Sequence, residues 1–342
     1  MTASLSVVIP TMGRATVVRT VQSLLDADPL PNGSRPEIVV AGHIADPAVA
    51  AQIDALVAAN PSIRHLDISF PTGDSSLKKD HGAAATTAPV VAFIDDDVVV
   101  ERAWPAQILS PFDDPAVGLV SGPSLIPDDI NLVGRLAGLA LSSPAAGWVA
   151  ERYRANADAP YRVNWERIIG CNAAYRRSVF ESIGGFPADF YPGEEMIAAF
   201  RTQQAGHTLL FLPAARLRHY PRQSVTRFWR QMWTYGATRI RLIRGGTDFH
   251  PASIAPAGLV FALLALGIAT IWLPRLAGLA LAALLALYLL LAAAIALSTS
   301  IREKRPGDLL LLLAIPFMHV AYGLAEWSEF FRPGRDFSEK PR

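Results

Sequence analysis

The chain has little that would staple it together or charge it strongly. Cys171 is the only cysteine among 342 residues, which excludes an internal disulfide framework and a cysteine-built zinc site. Basic and acidic residues nearly cancel, 31 against 30, for a formal net charge of +1. No global field therefore recruits a polyanion, and no nucleic acid is expected as a partner. The opening residues Met1 to Pro10 lack a basic flank and a long apolar core. A strand and a cytoplasmic start are expected there, not a cleaved signal peptide. A GxGxxG fingerprint is missing too, which removes the main support for a dinucleotide-dependent dehydrogenase.

What the chain has in excess is apolar residues, 51 % against 18 % charged, and the excess is concentrated after Ile254. Before that point the pattern alternates. Leu5–Ile9 reads as a strand, 15–27 as a helix, Glu37–Ala41 as a strand, Pro47–Ala59 as a helix and Ile63–Ile68 as a third strand. Strand, small-residue turn and helix form the opening of a nucleotide-binding α/β unit, whose turn N–H groups approach a diphosphate. The alternation predicts an α/β fold with a mostly parallel central sheet and helices on both faces.

The sharpest feature is the apolar run Val90–Val100, interrupted by Asp95, Asp96 and Asp97. Three adjacent carboxylates at the end of a buried strand repel one another unless a cation compensates them. Hard oxygens at the C-terminal edge of a parallel sheet suit Mg²⁺ or Mn²⁺ shared with a substrate's phosphates. In the stretch from Gly73 to Gly82, Lys78, Lys79 and His81 put positive charge just upstream. They either meet a diphosphate or form a solvated helix face. Further on, Asn131–Ala150 is an apolar stretch suited to lie near a membrane or line an acceptor site. Ile168–Arg177 reads as a strand running into a basic turn. Glu194 and Glu195 open a helix, where acidic residues also serve the helix dipole.

From Ser224 to Gly245 aromatic residues interleave with arginines, the pattern of an interfacial helix beside anionic headgroups. Two nearly charge-free runs follow, 254–273 and 276–297, each long enough to span a bilayer. The run 309–327 carries Pro316, His319 and Glu326. Arginines before the first run and Arg302 to Arg305 after the second make their shared side cytoplasmic. A third crossing would put Arg332, Arg335, Lys340 and Arg342 outside, so that segment either spans against the rule or is re-entrant.

Taken together, Ser6 to Thr11, Phe93 to Asp97, Ile169 to Arg176, Gly184 to Phe186 and Gly193 to Glu195 resemble, in this order, glycosyltransferase family 2. The resemblance covers roughly residues 4–245. It implies an inverting, nucleotide-sugar-dependent glycosyltransferase with the GT-A fold and C-terminal transmembrane helices. It also implies a Mg²⁺ or Mn²⁺ cofactor and cell-envelope or exopolysaccharide biosynthesis. The implied metal ligands are Asp95, Asp97 and His219. Thr11, Arg14, Lys79, Asp95 and Asp96 would contact the donor. Glu195 stands where the family has its general base, with Glu194 as the rival. The family's base-reading Asp after the second strand is absent; Ala41, Gly42 and His43 stand there.

The implied partners are a nucleotide sugar, a lipid-linked or membrane-proximal glycan and membrane lipid. The implied location is the inner (plasma) membrane, multi-pass, with the catalytic domain cytoplasmic. The expected division is a catalytic domain over 1–222, an interfacial linker over 223–250, a membrane region over 251–331 and a polar tail over 332–342. The competing readings are a polyprenyl-phosphate sugar synthase and a catalytically inactive, nucleotide-binding membrane scaffold.

Overall fold

The computed structural model describes residues 4–71 and 74–332, so Gly73 and the tail beyond Arg332 lie outside the described residues. The first half of the chain builds a layered sheet from short apolar strands. In order come β1 (Leu5–Pro10), α1 (Thr16–Leu25), β2 (Glu37–Ala41), α2 (Pro47–Ala59), β3 (Ile63–Leu66), α3 (Asp74–Ala84) and β4 (Val90–Ile94). In α1 the buried face is apolar, with Val17, Val21 and Leu24; in α3 it carries Lys78 and Lys79. Asp46 caps α2 by accepting from the Ala48 N–H at 2.9 Å, and Pro47 occupies the first helical turn. Strands β3, β2, β1 and β4 pair in parallel.

The apolar run through the Asp triplet is two strands, not one. β4 ends at Ile94, and after Asp95–Asp97 the chain enters β5 (Val98–Val100), which belongs to a separate small sheet. Next come α4 (Trp104–Leu109), β6 (Val117–Ser121) and β7 (Ser124–Leu125), then α5 (Leu132–Ser142). The chain returns with β8 (Tyr161–Arg162), β9 (Asn172–Arg176), α6 (Arg177–Ser182), α7 (Glu194–Gln204), β10 (Thr208–Phe211) and β11 (Leu217–His219).

The large sheet has the order β3-β2-β1-β4-β9-β6-β10-β8. Within it β9 runs antiparallel between β4 and β6, and β8 antiparallel beside β10. The small sheet is β5-β11-β7. Behind β4 and β9 sits an aromatic cluster of Phe93, Tyr175, Phe180 and Phe186, with ring centroids 4.9–6.0 Å apart. Such packing fixes the loop that carries Gly184 and Gly185.

The chain divides into two compact units. One comprises the residues up to Pro127 together with Glu151–Tyr220; the other joins Asp128–Ala150 to the chain from Pro221 onward. The second unit contains α5, α8 (Val225–Arg244), α9 (Ala255–Ala269), α10 (Pro274–Glu303) and α11 (Leu311–Phe330). Among the described residues, and including their short 3-10 turns, three helices are long and apolar enough to cross a membrane, at Pro251–Ala269, Pro274–Glu303 and Pro306–Phe330. Pro316 lies inside the third.

Within this unit α11 is the central element. Arg135 of α5 grips Asp308 with two hydrogen bonds of 2.7 and 2.8 Å. Arg241 of α8 holds Glu329 at 3.0 and 3.3 Å, and His319 meets the Ala145 carbonyl at 2.9 Å.

Candidate functional site

The Asp triplet forms the turn between the C-terminal end of β4 and the start of β5, and each carboxylate has different surroundings. Asp96 turns to the loop after β1. It accepts from the Thr11 hydroxyl at 2.7 Å, the Met12 N–H at 3.2 Å and Arg14 at 3.2 Å. The same guanidinium reaches Asp97 at 3.0 Å. On the other side of Asp97 lies His219, with Nε2 at 3.0 Å; Asp95 is 4.0 Å from that nitrogen.

The pairing of β11 with β5 accounts for this placement. Its antiparallel register sets His219 opposite Val98, the residue after Asp97. Asp95, Asp97 and His219 therefore each offer one ligand atom, all within 4.8 Å of one another. Two carboxylates and an imidazole fit a divalent ion that accepts mixed oxygen and nitrogen donors, as Mn²⁺ does.

The charges are shifted accordingly. Burial raises Asp95, and Asp97 adds to the rise while His219 opposes it. Burial also raises Asp96, against the stabilising bonds from Thr11 and Arg14. Burial lowers His219, but interactions with Cys171 and Asp97 outweigh it and leave the imidazole well above the ordinary histidine range. Crowded carboxylates favour positive partners, and this cluster has a guanidinium and an imidazole against it.

The second acidic group lies at the start of α7. Glu194 is 2 % exposed and fully engaged: it accepts from Lys79 at 2.8 Å, Ser75 at 3.1 Å and the Gly193 N–H at 3.1 Å. Burial raises it, but Lys79 more than compensates and Glu194 ends below the usual carboxylate range. Glu195 has no such lysine bond. Burial and the adjacent Glu194 charge push it up to about 7, against the weaker pull of Lys79 and Arg152. Gly170 lies under it; a side chain there would come within 2.9 Å of the Glu195 Cγ.

The placement of Lys79 differs from the diphosphate contact expected from the sequence. Its ammonium is buried on Glu194, above the Phe186 ring at 5.0 Å. Burial lowers its pKa, but Glu194, Glu195 and Asp95 together raise it. Lys79 thus electrostatically couples the two acidic groups. Its neighbour Lys78 donates to the Thr11 carbonyl at 2.9 Å and to Asp74 at 2.6 Å. Neither lysine lies on a solvated face.

Several site residues were not legible beforehand. Asn172 is fully buried and accepts from the Trp104 indole at 2.9 Å. It also donates to the Pro123 and Ala215 carbonyls at 3.0 and 2.9 Å, tying β9 to the chain on either side of the small sheet. Asp80 accepts from the Phe186 N–H at 3.1 Å and is pushed by burial up to about 6. At the mouth of the first loop a side chain on Gly42 would overlap the Thr11 carbonyl. Beside it His43 pairs with Asp67 at 2.7 Å. The glycine between two nucleotide-type strands is the one available signal for that close approach.

Comparison with known proteins accords with this geometry. A solved structure of the mannosyltransferase PcManGT from Pyrobaculum calidifontis, in complex with GDP-Man and Mn²⁺, shares the GT-A type fold at a TM-score of 0.58 and 17 % identity. The match covers 96 % of this chain and 87 % of that one. Among curated proteins, the O-antigen chain rhamnosyltransferase WbaN of Salmonella anatum is 31 % identical over 154 residues, 43 % of this chain and 47 % of the relative. The pre-mycofactocin glycosyltransferase of Mycobacterium tuberculosis is 27 % identical over 281 residues, 82 % of this chain and 56 % of the relative. The chain spans about half the length of the curated relatives it matches. The family description "Glycosyl transferase family group 2" matches residues 90–320, a stretch that holds the Asp triplet, both glutamates and His219. With more than half its length inside that match, the chain belongs to glycosyl transferase family group 2.

Proposed function

We propose that this chain transfers a sugar, with inversion, from a nucleotide-diphosphate donor to a hydroxyl of a lipid-linked or membrane-proximal glycan. The setting is the building of a cell envelope or exopolysaccharide. One observation carries the reading: a cation-ready Asp95–Asp97–His219 cluster and a carboxylate poised near neutrality, Glu195, share one α/β unit and both interact with Lys79.

Asp95, Asp97 and His219 would hold the metal, and Thr11, Arg14 and Asp96 would border the donor. When bound, a divalent cation neutralises the charge on a departing diphosphate. The remaining chemistry falls to the chain's own groups. The acceptor oxygen forms a bond to the anomeric carbon as that carbon's bond to the diphosphate oxygen breaks. The acceptor's proton passes to the Glu195 carboxylate, whose raised pKa suits a base working near pH 7. Glu194, kept ionised by Lys79, sustains that raised value. A single displacement inverts the anomeric centre.

The relatives support the donor class. PcManGT was solved with GDP-Man and Mn²⁺, and two curated relatives are named as sugar transferases. The apolar helices support attachment to the inner membrane, and the arginines of α8 favour a cytoplasmic catalytic unit.

The test is a screen of nucleotide sugars against the detergent-purified protein, reading nucleotide release and product with Mn²⁺, with Mg²⁺ and with excess EDTA. We expect turnover of at least one donor in metal and none in EDTA. Undiminished turnover in EDTA would sink the metal-dependent reading.

A further inference from the structure

The exposed apolar surface of the second unit is divided unevenly, and the division bears on which helices meet lipid. On α9 only Ala257 and Val260 are buried. On α10 the buried residues are Ala277 and then Ala292, Ala296 and Thr299, one face of its last turns. Around the connection Ile271, Trp272, Leu276 and Leu279 are each 70–72 % exposed. The residues α9 and the first half of α10 present outward are almost wholly apolar. Such a face is stable only in an apolar medium. From Ala314 to Glu329, by contrast, α11 has no exposed residue.

α11 is covered by α8 along its length and also touches the hairpin: Trp327 donates to the Ala257 carbonyl at 2.9 Å, at the start of α9, and His319 lies 2.8 Å from the Tyr288 hydroxyl of α10. α8 runs parallel to it in constant register: Phe228 stacks on Phe317, Gly236 packs on the Tyr322 backbone and Arg241 binds Glu329. Arg244 then donates to the Phe330 and Arg332 carbonyls at 2.6 and 3.1 Å. A crossing by α11 would therefore draw α8 into the hydrocarbon alongside it. That would carry Arg227, Arg230, Arg239, Arg241 and Arg244, spread along α8, into or across the hydrocarbon, where arginine is costly. The start of α11 is tied to Arg135 through Asp308, which is 1 % exposed.

We propose that α11 does not cross the bilayer. Among the described residues only α9 and α10 cross, as a hairpin with its turn near Pro274. α11 stays with α8 on the side where the hairpin enters, where the exposed Arg227 and Arg230 of α8 suit anionic lipid headgroups. α10, at 30 residues, is about 45 Å long. It is long enough to cross and emerge, so that its polar end, Ser298 to Glu303, reaches α11 in the interface. This disposition also keeps Arg332 on the same side as the other arginines, in line with the positive-inside rule. It does not depend on the transfer reaction.

Cys171 is buried, which allows single cysteines to be read against a quiet background. The full chain would carry Thr226→Cys, Arg275→Cys or Phe331→Cys, each labelled with an impermeant maleimide in inverted and in right-side-out vesicles. Two labels per denatured chain, one at Cys171 and one at the introduced residue, confirm that each thiol is present, and a wild-type melting temperature in detergent confirms a folded protein. We expect positions 226 and 331 to label from one side and 275 from the other. Labelling of 331 from the side opposite 226 would overturn the proposal. So would labelling of 275 from the same side as 226, or from neither side.

Discussion

The two acidic groups of the α/β unit balance their charge in opposite ways. The triplet at the end of β4 distributes its carboxylates among several cations and donors on different elements, namely Arg14, His219 and Thr11. The pair at the start of α7 has one buried lysine, and that lysine bonds only one of its members. The first arrangement pools negative charge where a cation can share it. The second splits two identical side chains into one that Lys79 holds below the usual carboxylate range and one pushed up to about 7. Pairs driven apart in this way mark acid–base roles.

The most severe way to break the comparison is at the shared charge. Asp97→Asn removes a ligand atom and a partner of both Arg14 and His219. We expect turnover to fall on the order of a thousandfold, as removal of a charge-stabilising group does, with Mn²⁺ titration no longer restoring it. Near-normal turnover would remove Asp97 from the site.

Glu195→Gln keeps size and hydrogen bonding but removes the proton acceptor. Transfer should drop roughly a hundred- to ten-thousand-fold, while donor affinity measured calorimetrically survives. A lipid-phosphate acceptor, already ionised, would make the loss far smaller.

A pH profile sharpens the contrast further. Wild-type turnover should rise with pH through about 7, as Glu195 loses its proton. The stability contribution has the opposite sign. Glu195 and Asp80 have raised folded pKa values, so their contribution is fully present below the unfolded value near 4. It is lost as pH rises through about 6 to 7. Glu194→Gln removes the neighbouring charge and should move the rate limb to lower pH with activity kept. Collapse of activity would instead make Glu194 the base.

The smallest expected effect is that of Thr11→Val. It preserves shape and removes the hydroxyl that donates to Asp96, and should cost about 1.5–3 kcal/mol, the range for hydrogen bonds to charged groups. An unchanged melting temperature would show that water replaces the hydroxyl.

Local pattern was enough for much of the α/β framework. Glu37–Ala41 and Pro47–Ala59 form as their periodicity and capping residues imply. What escaped is non-local. The run Val90–Val100 is uniformly apolar around its carboxylates, and nothing in it marks the change of sheet at Asp95. The antiparallel entry of β9 and the encounter of Lys79 with Glu194, 115 residues away, are decided by packing. Cys171 shows no sign in sequence that it lies beside His219. The apolar segment 131–150 lies in the chain between strands of one unit, yet Asp128–Ala150 folds with the other.

The shortness of β11 has a genetic consequence. It is three residues long and is bordered by Ala215, whose carbonyl is bound to Asn172. Strand faces alternate with period two, so a one-residue slip would turn His219 away and offer a neighbour in its place. Substitutions at the exposed Ala214 and Arg216 should therefore be tolerated far better than single-residue insertions or deletions in the 213–216 corner. In a library of variants, length at that corner would be under stronger selection than composition.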